Sequence, residues 1–172
     1  LLRDIYLQDY ENYEVIIADA QSTDRTIELA RTYEVKVVSG GKPAVGRNNG
    51  AKHASGDLLL FFDADVHLST EDVISKLVQV MQTSNVHVLG ALFDINRKQF
   101  LFKMIYLLWN VSKIIRQNTL FPDLDGQCIM ADKYAFKLLR GFNEQITVSE
   151  DSDFALRAVR KKLRFKIALF PA

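Results

Sequence analysis

Residues 58–69 read LLLFFDADVHLS, in which five apolar residues run directly into two aspartates placed one position apart. A short apolar run bounded by turn-forming residues is typical of a strand that is buried on both faces. Asp63 and Asp65 then lie where this strand ends. In an open parallel sheet, ligands bind outside the carboxyl ends of the strands. The run therefore predicts a buried strand with a binding crevice at its end.

Strand and helix patterns alternate along the rest of the chain. Strands are expected at 13–19, 34–39, 58–62, 85–94 and 164–170, helices at 22–33, 47–54, 69–82, 100–117 and 149–163, and a strand followed by a short helix within 125–144. Ser69 or Thr70 is expected to cap the helix at 69–82, and Ser149 the helix at 149–163. The alternation predicts an α/β fold with a mostly parallel sheet flanked by helices, in one domain over residues 1–172.

Residues 40–50, GGKPAVGRNNG, predict a glycine-rich loop. Backbone N–H groups in such a loop, with Lys42 and Arg47, could cradle a diphosphate, although a segment of this kind is more often only a mobile loop. The sequence contains neither GxxxxGK[ST] nor GxGxxG, so the P-loop and dinucleotide fingerprints are absent.

The composition bounds the class of protein. The chain has 172 residues, 48% of them hydrophobic and 25% charged, which is the balance of a globular domain large enough to bury a core. The net charge of +1 gives no general attraction to nucleic acid, and we predict no such partner.

Cys128 is the single cysteine, which excludes an intrachain disulfide and a thiolate zinc site. Leu1 starts in mid-pattern without a signal peptide, so we expect a cytoplasmic location.

The most apolar segment is FLFKMIYLLWNVSKII at 100–115, which Lys103, Asn110 and Lys113 interrupt. It is shorter than the roughly 20 apolar residues of a membrane span, so it predicts a buried or interfacial helix. A basic run, RAVRKKLRFK, follows at 157–166; such a run is more often only the solvated face of a helix end, and the alternative is contact with an anionic surface. The two segments motivate the hypothesis of peripheral membrane contact through 100–117, at the inner face of the membrane.

Two groups of acids are candidates for chemistry. Asp63 and Asp65 can share a hard cation in a turn, and oxygen ligands suit Mg²⁺ or Mn²⁺, which keep waters and bridge to phosphates. The alternative is that one acid forms the turn and the other caps the next helix. Asp151, in SED at 149–151, could act as a general base. The alternative is that the acids there only complement the helix dipole.

Three segments in order carry a family resemblance. They are VIIADAQSTDRT at 15–26, GRNNGAKHASGDLLLFFDADV at 46–66 and GFNEQITVSEDSDFALRAVRKKL at 141–163. Together they resemble the family 2 glycosyltransferases of the GT-A fold over nearly the whole chain. That family usually has DDGSTD where this chain has Ala20 and Gln21. The resemblance implies a Rossmann-like GT-A domain that lacks the first strand and the C-terminal end, including a late metal-binding histidine.

The resemblance also assigns roles to residues. Asp19 would hydrogen-bond the nucleotide base, and Asp65 would ligate the metal directly, with Asp63 near the ribose and the metal. Asp151 would be the catalytic base, and Arg157 would support it through the continuation of the same motif. The implied substrate-binding set is Asp19, Ser22, Arg47, Asn48, Asp63, Glu150 and Arg157.

The function implied by the resemblance is an inverting hexosyltransferase reaction. The donor would be a UDP-, GDP- or dTDP-linked sugar, the cofactor Mn²⁺ or Mg²⁺, and the acceptor a carbohydrate or lipid-linked hydroxyl. Residues 1–94 would form the nucleotide-sugar-binding half and residues 95–172 the acceptor-binding half.

Two alternatives come from other classes of protein. LLLFFDADV also satisfies the haloacid-dehalogenase pattern, in which Asp63 would be a phosphoryl-accepting nucleophile and Asp65 the acid/base of a phosphatase. In that superfamily the D-x-D strand usually opens the domain, whereas residues 1–57 precede it here. The second alternative is a nucleotide-binding module without catalysis, against which the intact acids at Asp63, Asp65 and Asp151 count.

Overall fold

The computed structural model describes residues 1–93 and 100–170. In chain order its elements are α1 (Leu2–Tyr6), β1 (Val15–Asp19), α2 (Thr26–Ala30), β2 (Val35–Ser39), α3 (Pro43–His53), β3 (Leu58–Phe62), α4 (Val73–Thr83), β4 (Val88–Phe93), α5 (Phe100–Arg116), β5 (Cys128–Asp132), α6 (Lys133–Leu138), α7 (Glu150–Arg160) and β6 (Phe165–Phe170). The predicted strands and helices are therefore present, with some ends displaced. Residue 94, at the end of the strand expected over 85–94, lies outside the described residues.

The strands form a mixed arrangement that is mostly parallel. One sheet has the order β3-β5-β4-β6, and β1 and β2 form a parallel pair. β4 and β6 are parallel, whereas β5 is antiparallel to both of its neighbours, β3 and β4. It follows that β3, β4 and β6 point in one direction and β5 is reversed between them. The α/β fold class predicted from the sequence is confirmed.

Helices cover both faces of the central sheet. Alternate residues of β4 and β5 enter two separate apolar clusters, because side chains along a strand point to opposite faces. One cluster includes Leu77 of α4 with Leu89 and Met130. The other includes Phe154 of α7 with Val88 and Ile129. Burial on both faces explains why the strands are continuous apolar runs and do not alternate with polar residues.

The pairing of β3 with β5 positions the acids that follow β3. The register runs from Leu58 opposite Asp132 to Phe62 opposite Cys128. One further bond continues the ladder, in which the Asp63 N–H donates to the Gln127 carbonyl at 3.2 Å. The end of β3 is thereby fixed beside the loop that leads into β5.

The expectation of a loop over 40–50 is wrong beyond residue 42, because α3 begins at Pro43. Proline suits the first helical turn, where its missing N–H would have no partner and its φ is already helical. Gly46 lies inside this helix, where a Cβ would be 3.5 Å from the Ala18 Cβ. A methyl group there would be in ordinary van der Waals contact, so α3 packs against β1 at this position.

One predicted cap lies at another residue, and a second is at the predicted residue but makes no side-chain bond. The N-cap of α4 is Asp72 and not Ser69 or Thr70; instead the Thr70 hydroxyl donates to Asp72 Oδ1 at 2.8 Å. Ser149 is the N-cap of α7 as predicted, but it has a left-handed backbone (φ 64°) and makes no capping bond through its side chain. The Ser149 hydroxyl therefore accepts no hydrogen bond from the backbone N–H groups of the first turn of α7.

No helix within residues 1–93 and 100–170 is long and apolar enough to cross a membrane. α5, with 17 residues, is the longest helix of that part of the chain.

Candidate active site

Arg47 joins the acids that follow β3 to those that begin α7. Its Nη1 donates to Glu150 Oε1 at 2.6 Å, and its Nη2 donates to Asp63 Oδ1 at 2.8 Å. Nη2 also donates to the Gly126 carbonyl at 3.2 Å. Four segments that are distant in sequence thus meet at one guanidinium. We call Arg47, Asp63, Gly126, Glu150 and Asp151 the acid cluster.

Burial makes these contacts strong. The side chains of Arg47 and Glu150 are each 10% exposed. The Arg47 guanidinium also lies 5.3 Å from the centre of the Phe142 ring. Charge-assisted hydrogen bonds removed from water are stronger and more directional than exposed ones. The expectation that Arg47 lies in a loop is wrong, because it belongs to α3 and its guanidinium donates to Glu150, Asp63 and the Gly126 carbonyl. Its contact with a diphosphate stays a prediction.

Asp151 lies half-buried in the acid cluster. Burial, the main cause, raises the pKa of Asp151 above its ordinary value, and the negative charges of Glu150 and Asp125 raise it further. The Ser152 N–H, which donates to Asp151 Oδ1 at 2.7 Å, and the positive charge of Arg47 act in the opposite direction. A carboxylate with a raised pKa is a better proton acceptor near neutral pH than an ordinary aspartate.

The loop before β5 completes the site, and the sequence analysis missed it. A Cβ on Gly126 would lie 2.7 Å from Arg47 Nη2, 3.2 Å from Asp151 Oδ2 and 3.5 Å from Asp63 Oδ2. Only glycine therefore fits between these side chains without displacing them. The available signal was a glycine directly before a buried strand, which is equally typical of an ordinary turn.

Two ion pairs hold this loop against α5, and a hydrogen bond holds it against α7. Lys113 Nζ lies 2.8 Å from Asp125 Oδ2, and Lys113 is buried. Arg116 Nη2 lies 3.3 Å from Asp123 Oδ2, while the Ser152 hydroxyl donates to Asp123 Oδ1 at 3.0 Å. The loop is thus tied to α5 on one side and to the residue after Asp151 on the other.

Asp63 and Asp65 are the candidate cation ligands. The Asp63 side chain is 44% exposed, and Asp65 is exposed, so both remain accessible from solvent. Among the residues that the structure describes, no group of three or more His, Cys, Asp or Glu side chains could hold a metal ion. Two carboxylates fit a hard cation that takes its other ligands from water and a diphosphate.

Asp19 and Ser22 form a compact turn at the end of β1. Asp19 accepts hydrogen bonds from the Ser22 hydroxyl at 2.5 Å and from the backbone N–H groups of Gln21 and Ser22. The Ser22 hydroxyl is the main cause that lowers the pKa of Asp19. Because α3 packs against β1 and carries Arg47, the helix connects this strand end with that of β3.

The structure does not bring Asn48 and Arg157 to the acids. Asn48 is buried; its Nδ2 donates to the Phe142 carbonyl and its Oδ1 accepts from the Phe142 N–H, both at 2.8 Å. Arg157 pairs with Asp153 at 2.7 Å and donates to the Gly141 carbonyl at 2.9 Å. Both side chains hold the loop between α6 and α7, and neither contacts the acid cluster directly.

The profile of the family described as Glycosyl transferase family 2 matches residues 1–140. This chain belongs to that family. The dolichol-phosphate mannosyltransferase of Pyrococcus furiosus is 37% identical over 89 residues, which are 46% of this chain and 24% of that protein. The match includes the LLLFFDADV segment, which was the basis of the haloacid-dehalogenase alternative. That segment is therefore explained by membership in family 2.

Two solved structures resemble this family 2 chain in fold. The mannosyltransferase PcManGT from Pyrobaculum calidifontis, in complex with GDP-Man and Mn²⁺, has a TM-score of 0.77 at 20% identity over 99% of this chain and 51% of that one. Residues 1–349 of Staphylococcus aureus TarS in complex with UDP have a TM-score of 0.69 at 21% identity, over 100% of this chain and 55% of that one. These likenesses show the GT-A fold. The chain spans about half the length of both structures.

Proposed function

We propose that this family 2 chain transfers a hexosyl group from a nucleoside-diphosphate sugar to an acceptor hydroxyl, with inversion at the anomeric carbon. The single observation that carries the proposal is the position of Asp151, half-buried within the same cluster as Asp63. A candidate base thus lies beside the carboxylates expected at the donor.

Asp151 is proposed to take the proton from the acceptor hydroxyl. The acceptor oxygen then forms a bond to the anomeric carbon while the bond from that carbon to the donor phosphate oxygen breaks. The bonding electron pair leaves with the nucleoside diphosphate, and attack from the opposite face inverts the configuration. Burial and the neighbouring acids raise the pKa of Asp151, which suits it to hold this proton.

Arg47 is proposed to position the reacting groups and not to bind the diphosphate alone. Its paired contacts fix Asp63 and Glu150, so the carboxylates next to the donor and the base keep their spacing. Asp65, with Asp63, would hold Mn²⁺ or Mg²⁺. Such an ion, when bound, neutralises the negative charge of the departing diphosphate.

Asp19 and Ser22 are proposed to contact the nucleotide, with residues 1–94 as the donor half and residues 95–172 as the acceptor half; the boundary lies outside the described residues. The solved relatives bind GDP-Man and UDP respectively, so UDP- and GDP-linked hexoses are the first donors to test, with dTDP-linked hexoses third. One relative is named dolichol-phosphate mannosyltransferase. That name supports carbohydrate or lipid-linked acceptors for this chain.

The test is calorimetric binding of UDP-, GDP- and dTDP-hexoses to the full-length protein, with and without Mn²⁺. We expect one donor to bind in a metal-dependent way, and Asp65→Ala to abolish that dependence. Asp57→Asn is the matched control, because Asp57 is an exposed acid at the opposite end of β3. Absence of binding to every donor by the folded protein would contradict the proposal.

Turnover is measured separately with Asp151→Asn. We expect this variant to bind the donor normally and to lose transfer by about 10²–10⁴-fold, the usual contribution of a general base. Normal turnover by Asp151→Asn would show that another group is the base. Binding without turnover in the unaltered protein would favour the non-catalytic nucleotide-binding module.

A further inference from the structure

α5 turns an apolar surface to solvent. Leu101, Ile105 and Leu108 are 60%, 54% and 62% exposed, and they lie on one side of the helix at the spacing of successive turns. Trp109 and Ile115 of the same helix are also exposed, as is Phe121 just beyond it. We call these six residues the α5 surface. Contiguous exposed apolar patches of this kind mark interaction sites.

The buried side of α5 is polar where it packs most tightly. Among its described side chains only Asn110 and Lys113 are fully buried. Lys113 pairs with Asp125, and Gln117, just after the helix, accepts from the Ile167 N–H at 2.6 Å. A surface helix ordinarily directs its apolar stripe into the core. Core packing therefore does not account for the leucines, isoleucines and tryptophan that face outward.

Exposed cationic groups lie beside the α5 surface. Lys103 of α5 is exposed, whereas Lys113 and Arg116 are paired with Asp125 and Asp123. Gln117 and Asn118 line one cavity with Arg164 and Lys166, so the C-terminal end of α5 adjoins the basic run at 157–166. In that run Arg160, Lys161, Lys162 and Arg164 are exposed. The apolar surface is therefore bordered by cationic groups.

We propose that the α5 surface docks onto an anionic lipid bilayer, with α5 lying in the plane of the interface. Apolar and aromatic side chains would enter the boundary between headgroups and acyl chains, and the basic residues would face lipid phosphates. The exposed basic residues beside this surface match the negative charge of lipid phosphates, and a second copy of the same surface would not supply that charge. The proposal does not depend on the transferase function.

The test is cosedimentation of the full-length protein with vesicles of phosphatidylcholine alone and with vesicles that also contain phosphatidylglycerol. We expect binding to the mixed vesicles that weakens as salt is added. The triple variant Leu101→Ser, Ile105→Ser, Leu108→Ser is expected to lower the partition constant on mixed vesicles by at least about tenfold. Three apolar side chains that binding would transfer from water into the bilayer are replaced by small polar ones. Each of these side chains is more than half exposed, so circular dichroism should show an unchanged fold.

The matched control replaces three exposed aliphatic side chains outside α5 by serine: Leu7→Ser, Leu29→Ser and Leu138→Ser. It should bind mixed vesicles like the unaltered protein. A second variant, Arg160→Gln, Lys161→Gln, Lys162→Gln, should lose most of the dependence of binding on phosphatidylglycerol and on salt.

Three results would overturn the proposal. The first is that the folded protein fails to sediment with mixed vesicles at low salt. The second is that the α5 triple variant binds as tightly as its control. The third is that light scattering shows a dimer which the α5 variant dissociates, because a second copy would then cover this surface.

Discussion

Arg47 and Glu150 form a 2.6 Å ion pair across 103 positions of sequence, with both side chains 10% exposed. The pair joins α3 to the first turn of α7. Because Asp151 follows Glu150 directly in that turn, the pair also fixes the position of Asp151. The geometry between the acids that follow β3 and the proposed base therefore depends on one arginine.

Replacing Arg47 with methionine should destabilise the protein. Arg47→Met keeps most of the side-chain volume but leaves the buried Glu150 carboxylate without its cation. Breaking a buried pair in this way costs about 3–5 kcal/mol of the free energy of unfolding. The measurement is urea-induced unfolding followed by circular dichroism.

Arg25→Met is the matched control, because Arg25 pairs with Glu28 through two side chains that are 75% and 65% exposed. Exposed pairs contribute little, so this variant should unfold at nearly the urea concentration of the unaltered protein. Equal stability of the Arg47 and Arg25 variants would refute the structural role of Arg47.

Asn48→Ala should damage stability and spare activity. The substitution leaves the N–H and carbonyl of buried Phe142 without partners, which costs about 2–4 kcal/mol at the usual penalty for unsatisfied buried groups. Asn49→Ala, one position along α3, removes an exposed bond to the Ser39 carbonyl and should be much milder. If Asn48→Ala instead weakened donor binding without changing unfolding, the residue would contact the donor, as the family resemblance implies.

Local patterns in the sequence were enough to predict the strand Leu58–Phe62 and the acids at its end. Burial on both faces requires a continuous apolar run, and that requirement is visible in five adjacent residues. Arg47 and Asn48 illustrate the limit of such patterns. They are neighbours in one motif, yet successive helix positions point about 100° apart, so one reaches Asp63 and the other Phe142.

The reversed direction of β5 and the role of Gly126 could not be predicted. Strand direction depends on pairing between β5 and strands that are distant in sequence. Gly126 is constrained by Arg47, which lies 79 positions away. No periodicity within a short window records either contact. The boundaries of α3 were missed for a simpler reason, since glycines at 46 and 50 lie within a helix that begins with proline.

Gly126→Ala should reduce transfer more than it reduces stability. The added methyl group would be 2.7 Å from Arg47 Nη2 and must push the guanidinium away from Asp63. A displacement of this size in a positioned site commonly costs about 10²-fold in rate. The measurement is sugar transfer together with thermal unfolding of the same preparation.

Gly50→Ala is the control, because a Cβ there meets no atom within 4 Å and the position lies inside α3. Helix propensity predicts that it raises the free energy of unfolding by about 0.5–1 kcal/mol and leaves transfer unchanged. Unchanged transfer by Gly126→Ala would mean that the acid cluster tolerates a side chain at its centre.

The raised pKa of Asp151 makes a prediction about stability and pH. The folded state binds the proton of this carboxyl more tightly than the unfolded state does. The resulting stability is fully present below the unfolded value, near 3.8, and is lost as pH rises through the higher folded pKa. Asp151→Asn has no carboxyl to titrate. Its free energy of unfolding relative to that of the unaltered protein should therefore increase as pH rises from the unfolded to the folded pKa of Asp151. Urea unfolding at several pH values between acid and neutral measures the difference.

The Asp151 carboxyl should also determine the acidic limb of the pH–rate profile for transfer. If Asp151 is the base, transfer falls as pH decreases through its raised pKa, because the protonated carboxyl cannot accept the acceptor's proton. The negative charge of Asp125 contributes to that raised pKa, so Asp125→Asn should shift the limb to lower pH. Loss of Asp125 also leaves the positive charge of Lys113 unpaired in the same region, and this acts in the same direction. Asp57→Asn, remote from the site, should leave the limb unchanged. A shift to higher pH in Asp125→Asn would contradict the assignment of the limb to Asp151.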